Sequence, residues 1–114
     1  MSDECLFCQI LNGDIPSTKV YEDENVYGFQ DLHPMAKVHW LFIHKKHTRN
    51  IEEMVQDPQQ ITDLYRGMTK AAQDNGLSHD GYRIVTNLGP NAGQTVFHTH
   101  FHLLAGERLG RFGS

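Results

Sequence analysis

His98-Thr99-His100-Phe101-His102-Leu103-Leu104 is the most informative run in this chain of 114 residues. It continues an alternating pattern that begins at Thr95, and successive side chains of a β-strand point to opposite faces of the sheet. We therefore predict a strand over residues 95–104 whose three histidines share one face. The residues predicted for the other face are Phe97, Thr99, Phe101 and Leu103.

Three imidazoles on one strand face favour chemistry over packing. Each neutral ring carries a donor and an acceptor that need partners when buried, so such a row contributes poorly to a core. A neutral imidazole is a good nucleophile near pH 7 and can hold a phosphoryl group covalently until water removes it. His100 is the candidate nucleophile. His98 and His102 would orient its ring, fix its tautomer and donate hydrogen bonds to phosphate oxygens.

The segment before this strand has the composition of a loop that approaches an anion. Residues 87–94 contain Gly89, Pro90 and Gly93. Gly93 lets the backbone come close to a ligand, while the Gln94 amide and the Thr95 hydroxyl supply donors at the mouth of the histidine face. On its own, a Gly-Gln-Thr sequence indicates only a turn.

The N-terminal half is predicted to contain short helices and three strands. The first helix would begin near Cys5 and end at the turn signal of residues 12–14. The predicted strands are Lys19–Glu22, Val26–Gln30 and Val38–His44. After them Thr48 or Asn50 can cap a second short helix, and Glu53 is spaced to form a capping box with Asn50.

One longer helix is predicted in the second half. Asp57-Pro58 supplies an N-cap and a first-turn proline, and Asn75-Gly76 supplies a stop. Its apolar positions recur at helical spacing, at Ile61, Leu64, Tyr65, Met68, Ala71 and Ala72. Residues 82–86 follow as a strand. Strands before and after one main helix favour an α+β fold with an antiparallel sheet covered on one face.

Composition and charge restrict the class of protein. The length is that of one domain, which we place over residues 1–114. The formal net charge of −4 argues against duplex nucleic acid as a partner, because that binding requires clustered Lys and Arg. The longest strongly apolar run, residues 40–43, is far shorter than the roughly 20 residues that cross a bilayer. Met1-Ser2-Asp3-Glu4-Cys5 lacks the basic and apolar regions of a secretory signal, so a cytoplasmic location is expected.

The two cysteines, Cys5 and Cys8, are spaced to share one metal ion. In a reducing compartment this spacing indicates metal or redox chemistry before a structural disulfide. His47 and one histidine of the run are candidates for the remaining zinc ligands. Buried free thiols are the alternative. A thioredoxin-like motif is less favoured, because that motif follows a strand in a βαβ unit and nothing precedes it here.

Several other residues can be assigned either to a nucleotide site or to ordinary structure. Asp31 follows a predicted strand, where its carboxylate could accept hydrogen bonds from sugar hydroxyls or could simply be solvated in a turn. An apolar slot for a base could be lined by Leu6, Phe7, Ile10, Phe29 and Leu32. Core packing explains these five residues equally well.

The run from His98 to Leu104 resembles the mark of the histidine triad family, His-x-His-x-His followed by two apolar residues. Thr99 stands where an aliphatic residue is common. The resemblance extends over nearly the whole chain, through Gly28-Phe29-Gln30-Asp31, His39-Trp40-Leu41-Phe42-Ile43, Lys45-Lys46-His47, Gly81-Tyr82-Arg83 and Gly93-Gln94-Thr95-Val96. The similarity is greatest to the purine nucleoside phosphoramidase branch. It implies a homodimer in which two five-stranded sheets join into a ten-stranded sheet.

The resemblance also implies roles for individual residues. His100 would attack the α-phosphorus of a purine nucleotide, His98 and His102 would support it, and a nucleotidyl-histidine intermediate would then be hydrolysed. Asp31 would hold the ribose, and His39 would sit behind the triad. The residues implied to enclose the purine are Leu6, Phe7, Ile10, Phe29 and Leu32. Those implied to contact phosphate or leaving group are Asn87, Gln94, Thr95 and His102. Members with a Cys-x-x-Cys opening bind zinc, which implies Cys5, Cys8, His47 and His98 as ligands.

The leaving group is less well defined than the nucleophile. Ala105-Gly106-Glu107-Arg108 stands where Gly-Gly-Arg is common in the branch, and the tail ends at Ser114. Since the tail of relatives helps to shape the site across the dimer, this chain is expected to differ in the amine or phosphate that it accepts. Three alternatives stay open: a dinucleoside polyphosphate hydrolase of the same family, a zinc-stabilised nucleotide-binding adaptor without catalysis, and a redox protein.

Overall fold

The computed structural model describes residues 5–111. Residues 1–4 and 112–114 lie outside this range. The prediction about a secretory signal depends partly on the first of these segments, and the prediction about a shortened tail depends partly on the second. The helices are α1 (Leu6–Leu11), α2 (Ile51–Met54) and α3 (Pro58–Asp74). The strands are β1 (Lys19–Glu22), β2 (Val26–Gln30), β3 (Val38–His44), β4 (Tyr82–Val85) and β5 (His100–Ala105). The predicted α+β class is confirmed.

The strands form one antiparallel sheet in the order β1-β2-β3-β5-β4. Strand β5 therefore lies inside the sheet, with its first residue His100 opposite Ile43 of β3. His102 is opposite Leu41 on one side and Val85 of β4 on the other. This central position holds the backbone of the histidine strand on both sides.

Helix α3 covers one face of the sheet and forms the main core with it. The core includes Leu64 and Met68 of the helix, packed with Phe42, Phe101 and Leu103 of the central strands. Each of these five side chains is buried, which is the arrangement that the helical spacing of the sequence predicts. Helix α3 ends at Asn75-Gly76 as expected, with Gly76 at φ +72°.

Asp57 and Asn50 occupy the N-cap positions of α3 and α2, but they act differently. The Asn50 side chain accepts from the Glu53 backbone N–H at 3.0 Å, as predicted. The Asp57 carboxylate makes no cap hydrogen bond and instead accepts from the Gln60 side chain at 3.3 Å. Thr48, the alternative cap, pairs its hydroxyl with that of Thr99 at 2.7 Å.

The second face of the sheet is not bare, so the expectation of a sheet covered on one face is only half right. A smaller core lies here, made of Phe7 from α1 with Phe29, Leu41 and Ile43 from the sheet. Helix α1 is too short to cover the whole face. His100 and His102, on the same face of β5, are half-buried beside this small core.

The last strand begins later than the sequence predicts. It starts at His100 and not at Thr95, and β4 ends one residue earlier than expected, at Val85. Residues 95–99 do not pair in the ladder, and Phe97 is 62% exposed although the alternation places it on the same face as the buried Phe101 and Leu103. The alternating burial ends where the ladder ends, because His98 and Thr99 are both buried by contacts with other segments.

None of the helices within residues 5–111 combines the length and the apolar character that crossing a bilayer requires.

Candidate active site

His100, the first residue of β5, has one ring nitrogen engaged by the protein. Its Nδ1 lies 2.8 Å from the backbone oxygen of His98. Because a carbonyl oxygen can only accept, Nδ1 carries the ring proton and Nε2 keeps its lone pair. The edge of the Phe7 ring stands against this imidazole, with ring centroids 5.0 Å apart and an interplanar angle of 89°. The ring is therefore held in the tautomer that a nucleophile requires.

His102, two residues further along the same face, belongs to a chain of hydrogen bonds. The backbone N–H of Met35 donates to Nδ1 of His39 at 2.9 Å, so the proton of His39 is on Nε2. That Nε2–H donates to Nδ1 of His102 at 2.8 Å, and Asp31 lies 3.4 Å from the same Nε2. The proton of a neutral His102 is then on Nε2. His100 and His102 thus differ in the atom that they offer on Nε2, since one has a lone pair there and the other a donor.

His98, at the other end of the run, is fully buried. Its Nε2 donates to the backbone oxygen of His44 at 3.1 Å, so its lone pair is on Nδ1. His44 is itself fixed, because its Nδ1 accepts from the Lys46 backbone and its Nε2 donates to Asp63 at 2.9 Å. His98 therefore faces away from solvent and towards the two cysteines.

Burial lowers the pKa of every histidine in the run. It lowers the pKa of His98 and of His102 to about 4, and the neighbouring imidazoles add to the effect. Burial also lowers the pKa of His100, although the hydrogen bond to the His98 carbonyl and the charge of Asp31 oppose this. The three rings are consequently neutral near pH 7, and a neutral ring is the nucleophilic form.

Cys5, Cys8, His47 and His98 meet in one cluster. Nδ1 of His47 lies 3.1 Å from Nδ1 of His98, 3.2 Å from Sγ of Cys8 and 3.5 Å from Sγ of Cys5. The two sulfur atoms lie 3.4 and 3.5 Å from Nδ1 of His98. Tetrahedral zinc, with bonds of about 2.0–2.3 Å, separates its ligand atoms by about 3.3–3.8 Å. The four residues are thus positioned to hold a metal ion, as the spacing and the resemblance together predict.

The donor chemistry of the cluster also fits a cation. Burial and the neighbouring Cys5 raise the pKa of the Cys8 thiol to about 12, so a thiolate here requires a positive charge beside it. Cys5 caps α1 with its sulfur, which accepts from the Cys8 backbone N–H at 3.3 Å. Two sulfur and two nitrogen donors with no open position are typical of a structural zinc site.

Asp31, His39 and His102 form a second group of ligand-type atoms within 4.8 Å of one another among the described residues. In this group the Nε2–H of His39 lies between the two rings as a hydrogen bond. A metal ion would need the lone pair of that nitrogen, which the Met35 N–H prevents by occupying Nδ1. The group is therefore suited to holding a proton and not an ion.

The residues predicted to enclose a base are only partly brought together. Phe7 and Phe29 pack edge to face at 5.5 Å, with Ile10 against them. Leu32 is 86% exposed, and Leu6 lines a different cleft of about 420 Å³ beside Cys5. The structure places Phe7 next to His100, with Phe29 and Ile10 packed in the same small core as Phe7, and it places Leu32 on the loop that follows Asp31.

Gln94, predicted to contact phosphate, has both ends of its side-chain amide bonded to backbone. Its Oε1 accepts from the Gly89 N–H at 3.0 Å, and its Nε2 donates to the backbone oxygens of Arg49 and Val96 at 2.8 and 3.2 Å. Gln94 therefore shapes the loop. Thr95 is exposed and Asn87 is half-buried, close in sequence to the two ends of this loop.

Some contacts that hold the site were not predicted. The Thr86 hydroxyl donates to the backbone oxygen of His100 at 2.8 Å, and the Met35 backbone sets the tautomer of His39. The His44 carbonyl sets that of His98. Sequence could not identify these residues, because two of the three act through backbone atoms that every residue has.

Comparison with known proteins gives consistent matches. The model of the HIT domain matches residues 12–109. The chain is 44% identical over 101 residues to an uncharacterised HIT-like protein of Methanocaldococcus jannaschii, covering 88% of this chain and 77% of that protein. It is 36% identical over 113 residues to the purine nucleoside phosphoramidase of Escherichia coli, covering 96% of this chain and 93% of the relative.

Solved structures of HIT family proteins also match this chain. A HIT family hydrolase from Clostridium thermocellum superposes with a TM-score of 0.92 at 42% identity, covering 98% of each chain. A histidine triad protein from Clostridium difficile gives a TM-score of 0.91 at 39% identity, covering 96% of each chain.

Proposed function

This chain belongs to the HIT domain family, which includes hydrolases similar to it, and we propose that it cleaves a purine nucleoside 5′-monophosphate from an attached amine with His100 as the nucleophile. The observation that carries the proposal is the protonation pattern of the histidine run. His100 keeps a lone pair on Nε2, and His102, on the same face, keeps a proton on Nε2. Attack at phosphorus needs both.

In the proposed reaction, Nε2 of His100 forms a bond to the α-phosphorus while the P–N bond to the amine breaks. His102 donates a hydrogen bond from Nε2 to a phosphate oxygen and keeps its proton, while the departing amine takes a proton from solvent. The oxygen of a water molecule then bonds to phosphorus as the N–P bond breaks, and the water gives one proton back to solvent. This step releases the nucleoside monophosphate and restores the neutral His100 ring. The proton stays on Nδ1 of His100 throughout, and the His98 carbonyl that accepts from it stabilises positive charge that develops on the ring.

Substrate contacts are proposed for the residues around this pair. Asp31 would hold the ribose, with His39 behind it relaying the orientation of His102. Phe7, which contacts His100, and its neighbours Ile10 and Phe29 would form an apolar wall on which a purine could stack. The exposed Leu32 would close over the purine with Leu6. Thr95 and Asn87 would contact the phosphate or the leaving group. Gln94, whose amide is already bonded, would contribute by holding Thr95 in place.

The assembly is also proposed. Cys5, Cys8, His47 and His98 would hold zinc, which ties α1 and residues 95–99 to the sheet. We expect one HIT domain over residues 1–114, located in the cytoplasm, where thiols stay reduced. Strands β1 and β4 are the edges of the sheet, and one of these edges would join a second copy to make a ten-stranded sheet in a homodimer.

The test is hydrolysis of an adenosine 5′-phosphoramidate that carries a fluorogenic amine, near pH 7. Wild-type protein should release the amine, and His100→Asn should be slower by about a thousandfold or more because it removes the nucleophile. His79→Asn, which changes an exposed histidine elsewhere, is the matched control and should keep wild-type activity.

Other outcomes would change the assignment. Inactive wild-type protein that still binds AMP directs the test to dinucleoside polyphosphates, the neighbouring activity of the same site. Failure there as well would favour a zinc-stabilised nucleotide-binding adaptor.

A further inference from the structure

We propose that the cluster of Cys5, Cys8, His47 and His98 positions the nucleophile, so that metal binding by these residues selects the reactive orientation of the His100 ring. The inference rests on the proposed role of His100 and extends it. It makes His98 a positioning residue that joins the metal cluster to the site of reaction.

His98 takes part in both places at once. Its Nδ1 lies in the cluster, 3.1 Å from Nδ1 of His47, while its backbone oxygen accepts the Nδ1–H of His100 at 2.8 Å. Any movement of His98 therefore changes the hydrogen bond that keeps Nε2 of His100 free. Since that bond determines the tautomer, loss of the His98 position would let the His100 proton occupy either nitrogen.

The backbone at His98 has little support from the sheet. Ladder pairing of β5 begins at His100, so residues 95–99 are outside it. The Thr99 N–H, which shares its planar peptide unit with the His98 carbonyl, donates to the backbone oxygen of Thr48 at 2.8 Å. The His98 carbonyl is therefore held through Thr48, the neighbour of His47, and by the anchor of its own side chain. That anchor consists of the His44 carbonyl on one ring nitrogen and the cluster on the other.

Phe7, which lies between the two cysteines in the sequence, provides a second connection between the metal cluster and His100. Its ring contacts the His98 ring at 6.0 Å and the His100 ring at 5.0 Å, both between centroids. Helix α1, which carries Phe7, has only six residues, and a helix of this length is marginal without tertiary contacts. Ligation by Cys5 and Cys8 would hold Phe7 against His100 and restrict rotation of that imidazole.

His47 offers the cleanest way to test the cluster. It is exposed, so His47→Ala removes one ligand without leaving a cavity in the core. His79→Ala is the matched control, because it removes an exposed histidine away from the cluster. Cys8→Ser is the second variant, and it changes a buried ligand that belongs to α1.

The primary measurement uses no substrate. Proteins are loaded with zinc chloride, their metal content is determined, and the ring nitrogens of His100 are followed by long-range ¹H–¹⁵N correlation spectra. Wild type and His79→Ala should retain zinc and show the Nδ1–H tautomer of His100. His47→Ala should bind zinc at least about tenfold more weakly, and its His100 signals should move to the average of two tautomers. If the proposed hydrolysis occurs, kcat should fall by about tenfold to a hundredfold, as expected for a misplaced reacting group.

Three results would overturn the proposal. A folded His47→Ala protein that loses zinc and keeps the His100 tautomer would restrict the cluster to stabilising the fold. Wild-type protein that fails to bind zinc, or retention of zinc by both His47→Ala and Cys8→Ser, would exclude this ligand set. If Cys8→Ser does not fold, the decision rests on His47→Ala, whose folding is checked by the dispersion of its amide spectrum. Because the tautomer is read without substrate, failure of the hydrolysis assay leaves this result intact.

Discussion

Under α3 the two central strands present Phe42, Phe101 and Leu103, each no more than 3% exposed, while on the opposite face β5 presents His100 and His102. The same strand therefore contributes to both layers, with alternate residues assigned to each. The α3 face is filled mainly by apolar side chains, and the buried His44 ring on that face has both of its nitrogens bonded. The opposite face is only partly covered by α1, and there the polar rings have partners on one side and open space on the other. The comparison indicates that neighbouring residues of β5 serve different purposes: one side chain packs in the core beneath α3, and the next lies at the candidate active site.

The largest expected effect tests the α3 face. Leu103→Ala should destabilise the protein by about 2–5 kcal/mol, because it removes a fully buried side chain and leaves a cavity beneath α3. Activity per folded molecule should stay within about twofold, since Leu103 points away from His100 and His102. Urea unfolding monitored by circular dichroism gives the free energy of unfolding, and turnover at low temperature gives the activity. A large loss of activity in folded Leu103→Ala protein would show that the α3 face also contributes to the chemistry.

The next effect concerns the adjacent residue. His102→Ala should lower kcat/KM for the phosphoramidate by about a hundredfold, because it removes the Nε2–H donor. The same urea experiment should show a change of less than about 1 kcal/mol, since the ring is half-buried on the partly covered face. Equal losses of stability for Leu103→Ala and His102→Ala would contradict the comparison.

The smallest expected effect is a dependence on pH. Burial lowers the pKa of His102 to about 4, compared with about 6.5 for an imidazole in an unfolded chain. As the pH falls, His102 therefore takes up a proton at a higher pH in the unfolded state than in the folded state. The contribution of neutral His102 to the free energy of unfolding is present above about pH 6.5 and is lost as the pH falls through about 4.

The measurement is an NMR titration that follows the His102 ring. Its signals should stay unchanged between pH 7.5 and 5.5, while those of a short histidine peptide move through their midpoint. A midpoint near 6.5 for His102 would show that the opposite face is open enough to solvate a charged ring.

Much of the fold was predicted from local signals. The bounds of β1, β2 and β3 are confirmed as predicted, because polar and turn residues stand at the strand ends there. Helix α3 has the predicted start at Pro58 and stop before Asn75-Gly76 for the same reason. The start of β5 was wrong by five residues. The alternating pattern does not report which backbone groups pair, and before His100 it does not report burial either. Phe97 is exposed there, while His98 and Thr99 are both buried by residues outside the ladder of β5.

The candidate site divides in the same way. The sequence by itself determined which residue types are present in the histidine run, in the Cys5 and Cys8 pair and in the loop that ends at Gln94. Only the tertiary structure decided that His98 faces the cysteines, that Gln94 is bonded to backbone, and that His100 and His102 carry their protons on opposite ring nitrogens. The physical reason is that a tautomer or a ligand geometry depends on which atoms lie within about 3 Å of a nitrogen. For His98 and His102 those atoms belong to Met35, His39, His44 and His47, which are far from the run in sequence and adjacent to it only in the fold.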